Sequence, residues 1–577
     1  MTDPRPAIER IEDLEALRAG QLGRCSSLIT LITRHGGARV SALREHFALL
    51  ASLQGHDPAS VAVILRHPQV NAWAAYTLRR LDAGGAALHP DLAYLGCVAA
   101  AAAIRARHPC TVRVPVRLGV VMLPSLGRAR LGHGDSAVVE VTPTGAAITD
   151  GTTRVVVPDD PHQDAPGWWG LRKLSAGSVA RFLEDLDPYR GYGRLALSDR
   201  ADPATVAIWQ TALTGAWRLL AAHHPRYAAA LDMAWTSLVP LDLRPGEKHI
   251  SADSADAFGA IAVSGPTDAT TLAVSLVHEF QHAKLNALHE LDPLFQSSGA
   301  ERFYAPWRPD PRPVGGLLHG IYAHLGVADF WRVHRTVAAR AERHLAEIEF
   351  ARWLTQTLEA AHCLAGCDEL TPLGAGFLAD VTERLTSWLD EPVSDSARQV
   401  AEHTALDHRA CWRLRNLRVD GDDIRRLAAD WRARRVPTVR IRTRLEARGG
   451  IRNARPDLLY QRVRDPAGFV RDTAHRTGDP DVAYARDDYA AAAAGYRARL
   501  ATDPEDRHAW TGLGLTSERA AVLARRPEVV YALHRELGHA PAPETLTEWL
   551  RDWDQVAGDS MLHSPWTPAM RPAITSG

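Results

Sequence analysis

Lysine is almost missing from this chain: of 577 residues only Lys173, Lys248 and Lys284 carry an ammonium. Arginine supplies nearly all the basic charge, and 67 basic residues set against 68 acidic ones leave a formal net charge of -1. That balance gives no electrostatic reason to expect nucleic acid or an anionic membrane surface as a partner. Cysteine is scarce too, with six scattered residues, which argues against a disulfide framework and for a reducing compartment. Cys363 and Cys367 beside His362 invite comparison with a metal site. No second Cys or His pair at zinc-site spacing lies nearby, so small buried thiols are the commoner reading. Long apolar runs are also lacking. The longest, around Leu95 to Ile104, is too short and alanine-rich to span a bilayer, and the opening residues hold no apolar signal segment. The expectation is a cytoplasmic protein with no membrane partner.

What is present is the make-up of a globular protein, 46% apolar and 23% charged, in a chain long enough for about two to four cooperating units. Residues 1–109 show apolar positions at three- and four-residue spacing over Ser41 to Leu53, Ser60 to Leu65 and Val70 to Leu81, which predicts helices. Residues 110–160 change to short alternating runs joined by Gly, Asp and Pro turns, which predicts a small antiparallel sheet. A helical connector is expected over 161–237. The adjacent Trp168 and Trp169 there could grip a peptide, although core anchoring is the commoner role. A metal-binding core is expected over 238–360 and a helical region over 361–577. In that last region Tyr484 to Leu500 and His508 to Leu515 look like one tetratricopeptide-type helix pair, too few for a solenoid. The fold class is α+β, predominantly helical.

The stretch around which this organisation turns is His278-Glu279-Phe280-Gln281-His282, an HExxH motif in a segment free of Gly and Pro from Asp268 to Leu291. On a helix, residues four apart lie one turn above each other, so both imidazoles can share one divalent metal while Glu279 faces its open side. Ala257 to Ser264 before it alternates like a strand and ends in a turn with Asp268 as a helix cap. A strand along the rim of a site followed by an HExxH helix is the arrangement of zinc peptidases, and it predicts a zincin-like core.

Two histidines leave a metal short of a protein ligand. His289 lies on nearly the same face, but an unbroken helix carries it about 10 Å past His282. Glu301 follows at a spacing like that of thermolysin-type peptidases but enters a proline-rich loop. His319 follows Gly315-Gly316 at the start of the next helix and is preferred over Glu301. His324 faces away from His319 on that helix. The loop Glu301 to Pro313 holds four prolines, which rule out a buried helix, together with Arg308 and Arg312. A guanidinium grips a carboxylate through two parallel hydrogen bonds. A hydrolase has no obvious need for such a fork, whereas an oxygenase using the dicarboxylate 2-oxoglutarate does. Solvation, or pairing with Asp310, is the plainer alternative for both arginines.

His278 to Leu285, then Tyr304-Ala305-Pro306-Trp307-Arg308-Pro309-Asp310-Pro311-Arg312-Pro313, then Gly316-Leu317-Leu318-His319-Gly320-Ile321-Tyr322 together resemble the HExxH-motif family of bacterial ribosomal-peptide gene clusters. Leu65-Arg66-His67-Pro68 with Trp73, and Ala509 to Gly514, are similar to it as well. That family comprises 2-oxoglutarate-dependent HExxH-type peptide β-hydroxylases. The resemblance implies a non-haem iron dioxygenase that uses Fe(II), 2-oxoglutarate and O2 to hydroxylate the β-carbon of a residue in a ribosomally made precursor peptide. Other peptide-maturation enzymes would then be further partners. It implies His278, His282 and His319 as metal ligands, Arg308 or Arg312 on the co-substrate, and Glu279 as a catalytic group orienting substrate or ligands. The alternative is a zinc metallopeptidase with Glu279 as general base. A third reading is a non-catalytic peptide-binding scaffold.

Overall fold

The computed structural model describes residues 11–556, apart from 38, 85–87, 133, 192, 194, 243–248, 266–267, 297–298, 301, 447–452, 517–519 and 540. Residues 266–267 of the turn expected before Asp268, residues 449–450 of the helical region expected over 361–577, and the opening ten residues lie outside the described residues. The chain divides into two compact units, Met1–Asp292 and Pro293–Gly577, so the division falls within the 238–360 stretch. Both helices and small sheets are present, and the class is α+β with helix predominating.

The first unit begins with helices Ile11–Gly36, Leu43–His56, Pro58–Leu65, Pro68–Asp82 and His89–Arg105. Asp57 ends one of these and caps the next, its carboxylate accepting from Ser60 N at 3.1 Å, and Pro58 stands at the first helical position, where its missing N–H costs nothing. The alanine run of the fifth helix, Ala99 to Ala103, is wholly buried, because small side chains allow close approach on every face. A four-stranded antiparallel sheet follows, in the order Cys110–Pro115, Ser136–Thr142, Gly145–Thr149, Arg154–Val157. Beside it in sequence are strands Val120–Leu123, Gly127–Arg130 and Trp168–Gly170, which form a second small antiparallel sheet.

The stretch 161–237 is not simply a helical connector. Strands Lys173–Ala176 and Val179–Leu183 precede helices Pro203–His223 and Pro225–Ala234. Val179, Arg181 and Leu183 face inward while Ala180 is exposed, a two-residue period that favours strand over helix. After that strand, Glu184, Asp185 and Asp187 are buried and paired with His67 (3.1 Å), Arg172 (2.6 Å) and Tyr94 (2.9 Å). Their tertiary partners override the helix propensity of a Glu- and Leu-containing run.

The largest sheet of this unit carries the order Ser251–Ala252, Ala260–Ser264, Ser237–Leu241, Val179–Leu183, Lys173–Ala176. Its three inner strands run parallel and the two edge strands run antiparallel to their neighbours. Gly259 enters the second strand with φ +90 and with the Ala234 carbonyl where a Cβ would stand, a geometry only glycine tolerates. That strand leads into the motif helix, Ala269–Leu291.

The second unit is nearly all helix, with one two-stranded ribbon, Leu417–Val419 with Thr443–Leu445. The helix that carries His319 is followed by a second, the two spanning Val314–Val337 and Arg340–Leu364. Neither Gly nor Pro marks the break. Ala338 and Ala339 turn the chain so that the second helix packs back on the first, and tertiary packing decides. Further on, Tyr489–Thr502 and Arg507–Gly514 are consecutive helices around the Asp503 to Asp506 turn. Trp510 and Tyr496 are fully buried in a core shared with Leu458, Phe469 and Leu533. No described helix is long and apolar enough to cross a membrane.

Candidate metal centre

The motif helix is fixed by an N-terminal cap and by one buried face. Asp268 caps it, accepting from Thr271 N at 2.9 Å and from the Thr271 hydroxyl at 2.6 Å, an arrangement worth about 1 kcal/mol. Leu272, Leu276 and Phe280, spaced four apart, are buried, each contributing about 2 kcal/mol by leaving water. That burial sets the rotation of the helix and leaves His278 and His282 half-buried together on another face.

The two Nε2 atoms stand 3.2 Å apart, with rings nearly perpendicular at 82°. Two nitrogens bound to one ion at about 2.0–2.2 Å, with an angle of about 90–110° between them, are separated by about 3.0–3.4 Å, so the pair fits a shared divalent metal. Glu279 Oε1 lies 3.8 Å from His278 Nε2, and one ligand atom from each of His278, Glu279 and His282 falls within 4.8 Å of the others. Among the described residues no other cluster of His, Cys, Asp and Glu has this form. Burial pushes the His278 imidazole down to about 4, which keeps a ring nitrogen free of a proton at neutral pH, as a ligand must be.

Three further residues belong to this centre and escape a reading of the motif alone. His249, Ser251 and Asp253 alternate along the edge strand and its flanks, and each reaches the motif helix. His249 Nε2 lies 2.9 Å from Ser275 Oγ, the Ser251 hydroxyl donates to Glu279 Oε1 at 2.5 Å, and Asn286 Nδ2 donates to Asp253 Oδ2 at 2.7 Å. The signal was available: polar residues at a two-residue period in a strand preceding an HExxH helix put three polar groups on one rim. Burial, reinforced by the nearby Asp253 carboxylate, pushes Glu279 up to about 8. Burial likewise pushes Asp253 up to about 7. The centre thus holds two buried acids, both raised above the ordinary carboxylate range.

The remaining expected residues lie in the second unit, and Glu301 lies outside the described residues. Residues 302–312 form a closed loop: Phe303 and Arg312 exchange backbone hydrogen bonds of 3.0 and 2.9 Å, and Asn416 Nδ2 donates to the Pro309 carbonyl at 2.9 Å. Arg308 Nε donates to Asp310 Oδ1 at 3.0 Å and Arg312 Nη1 to Oδ2 at 3.4 Å, so one carboxylate serves both guanidiniums. The loop folds onto a glycine stripe of helix Val314–Val337. A Cβ at Gly316 would meet the Arg312 guanidinium at 2.9 Å, and one at Gly320 would meet the Trp307 ring at 2.1 Å. His319 is half-buried on the same helix, one turn beyond Gly316. His324 is a core residue, its Nδ1 2.8 Å from the Gly320 carbonyl and its ring stacked on Trp307 at 4.3 Å. His289 sits on the last turn of an unbroken helix. Cys363 and Cys367 form no disulfide. No protein-family model matches the chain, and no curated protein proves similar to it.

Proposed function

We propose that the chain is an Fe(II)- and 2-oxoglutarate-dependent oxygenase that hydroxylates the β-carbon of a residue in a ribosomally made precursor peptide. The observation that carries this reading is the pair of facing Nε2 atoms 3.2 Å apart on one helix, taken with the sequence resemblance. His278 and His282 hold the metal through those atoms, with His319 as the third ligand and Arg308 or Arg312 on the distal carboxylate of the co-substrate, as the sequence assigns them. When bound, iron with 2-oxoglutarate supplies oxidation by O2, the co-substrate leaving as succinate and CO2 while the peptide gains a hydroxyl group. Ser251 occupies Glu279 Oε1, which suits an orienting role better than that of a base turned toward an attacking water. The chain's contribution is to hold the His278 imidazole neutral, to align it with that of His282 and to fix Glu279 beside them.

One observation favours a second reading, the zinc metallopeptidase. A short antiparallel edge strand beside the parallel strand that feeds an HExxH helix is the arrangement expected of a zincin-like core.

The deciding experiment is succinate formation by anaerobically purified, Fe(II)-loaded protein given 2-oxoglutarate and O2. His278→Ala and His319→Ala should each reduce it by about 100-fold or more. One of Arg308→Ala and Arg312→Ala should raise the KM for 2-oxoglutarate by about 10-fold or more. Absence of succinate with or without peptide, together with tightly retained zinc and peptide cleavage, would establish the peptidase instead.

A further inference from the structure

Away from the metal centre, the first unit contains a cavity of about 480 Å³, a size typical of ligand sites. The sheet of Val120–Leu123, Gly127–Arg130 and Trp168–Gly170 forms one wall. Its register places Met122 opposite Arg128, Arg128 opposite Trp169, and Val120 opposite Arg130. By the two-residue period of strands these side chains share one face, and all of them line the cavity. Val121, Ala129 and Trp168, on the other face, are fully buried in the core. The tandem tryptophans therefore divide the two roles the sequence left open: Trp168 anchors the core and Trp169 faces the cavity.

The charge of this cavity is one-sided. Arg117, Arg128, Arg130 and Arg190 line it, and among the described residues no carboxylate does. Trp169 has three guanidiniums stacked about it, those of Arg128 at 4.5 Å, Arg200 at 4.8 Å and Arg130 at 5.1 Å from its ring centroid. Arg117 is paired with Asp91 and Arg200 with Asp164, while Arg190 donates only to the neutral carbonyls of Asp187 and Ser198. Among the described residues, Arg128 and Arg130 have neither an acid nor a hydrogen-bond acceptor. Asp185, the acid acting on Arg128, is already taken by Arg172 and by Ala201 N. Burial, then the charges of Arg200 and Arg190, hold the Arg128 guanidinium below its ordinary range in spite of Asp185, the expected mark of like charges that outweigh the one acid near them.

The rim adds an apolar contact. Arg117 and Val120 close a tight hairpin whose central residues, Leu118 (φ +51) and Gly119 (φ +74), are both left-handed, the pattern of a type I′ turn. A leucine in that region costs about 1 kcal/mol or more, and this one is fully exposed, at 104%. An unneutralised guanidinium group beside an indole, an apolar floor of Met122 and Leu186, and an exposed leucine at the mouth call for a ligand with carboxylates interleaved with aliphatic groups. We infer that this cavity binds an acidic peptide segment in which aspartate or glutamate alternates with aliphatic residues. Its choice of a peptide over a small anion rests on the proposed peptide-modifying function; the excess of positive charge does not.

The test is fluorescence anisotropy with the full chain and a fluorescein-labelled decapeptide alternating Glu and Leu. The expected result is binding that weakens with added salt, is about 10-fold or more weaker for the Gln–Leu counterpart, and falls about 10-fold for Arg128→Met with unchanged thermal melting. Arg130→Gln, at an exposed position that folding does not depend on, should weaken it in the same direction, and His278→Ala should leave it unchanged. Equal binding of the acidic and neutral peptides, no loss in either arginine variant, or displacement by phosphate or citrate at the affinity of the peptide itself would overturn the inference. Because binding needs no turnover, succinate formation without peptide binding rejects the cavity alone, and peptide binding without succinate rejects the oxygenase alone.

Discussion

Two pairs of arginines meet different fates in this molecule. Arg308 and Arg312 share Asp310, a carboxylate placed between them in the same loop. Arg128 and Arg130, two apart on one strand face, share only the face of Trp169. In the first pair the counter-charge is built in, so an incoming carboxylate must compete with Asp310. In the second the nearby acid, Asp185, is paired with Arg172 instead, so an incoming carboxylate has no ion pair to displace. Arginine beside aromatic residues in a sequence does not distinguish these cases, because what matters is whether an acid returns to the same point in space.

The largest effect that bears on this contrast should come from Gly320→Ala. Trp307 lies where the new methyl group would stand, and its ring is also stacked on His324, so it has little freedom to yield. Overpacking of this kind costs about 1–3 kcal/mol. Urea unfolding should show a loss near the top of that range and, with the loop lifted, weaker pairing of Arg308 and Arg312 with Asp310. An unchanged midpoint would mean that the loop is not held by the glycine stripe, and that the built-in pairing is less secure than its distances suggest.

Glu279 is an acidic counterpart of Arg128: burial disfavours its charged form, and the neighbouring charge, that of Asp253, has the same sign. Its carboxyl is raised from 4.5 to about 8, so between those values the folded state holds a proton that the unfolded chain has released, and stability falls as pH rises. His278, lowered from 6.5 to about 4, acts in the opposite sense, since the unfolded chain binds the proton there and stability grows with pH up to about 6.5. Above that only the carboxyls remain, Asp253 contributing up to about 7. Metal-free protein should therefore lose about 1–2 kcal/mol between pH 6.5 and 8, and Glu279→Gln should remove most of that loss. A flat profile for the parent chain would mean that Glu279 has found a cation.

The motif helix was legible because its signals are local: a cap at Asp268, no helix breaker, and imidazoles one turn apart. The last three strands of the four-stranded sheet were legible for the same reason, being joined by short turns of Gly, Asp and Pro. The hairpin Val120–Leu123 with Gly127–Arg130 was not, since Arg128 and Arg130 interrupt its apolar alternation and read as solvated surface. Strand Val179–Leu183 was hidden by the acids that follow it, whose partners His67, Arg172 and Tyr94 are distant in sequence. At the centre itself, the alternation of His249, Ser251 and Asp253 marks a polar rim in the sequence, but which group of the motif helix each one reaches depends on how the edge strand lies along that helix.

The smallest expected effect is the most direct probe of the two arginine pairs. Asp310 is about one-third exposed and its partners Arg308 and Arg312 are 49% and 30% exposed, so the ion pairs themselves stabilise the fold by no more than about 1 kcal/mol. Asp310→Asn should leave the melting temperature nearly unchanged. It removes the competing carboxylate, however, and turns the loop into a counterpart of the Arg128 cavity. If one of these guanidiniums binds 2-oxoglutarate, the co-substrate should bind about 2- to 5-fold more tightly to the variant, because the equilibrium no longer includes release from Asp310. If affinity instead falls, Asp310 holds the guanidinium in its binding orientation, and the built-in acid is a positioning group for the arginines and not their rival.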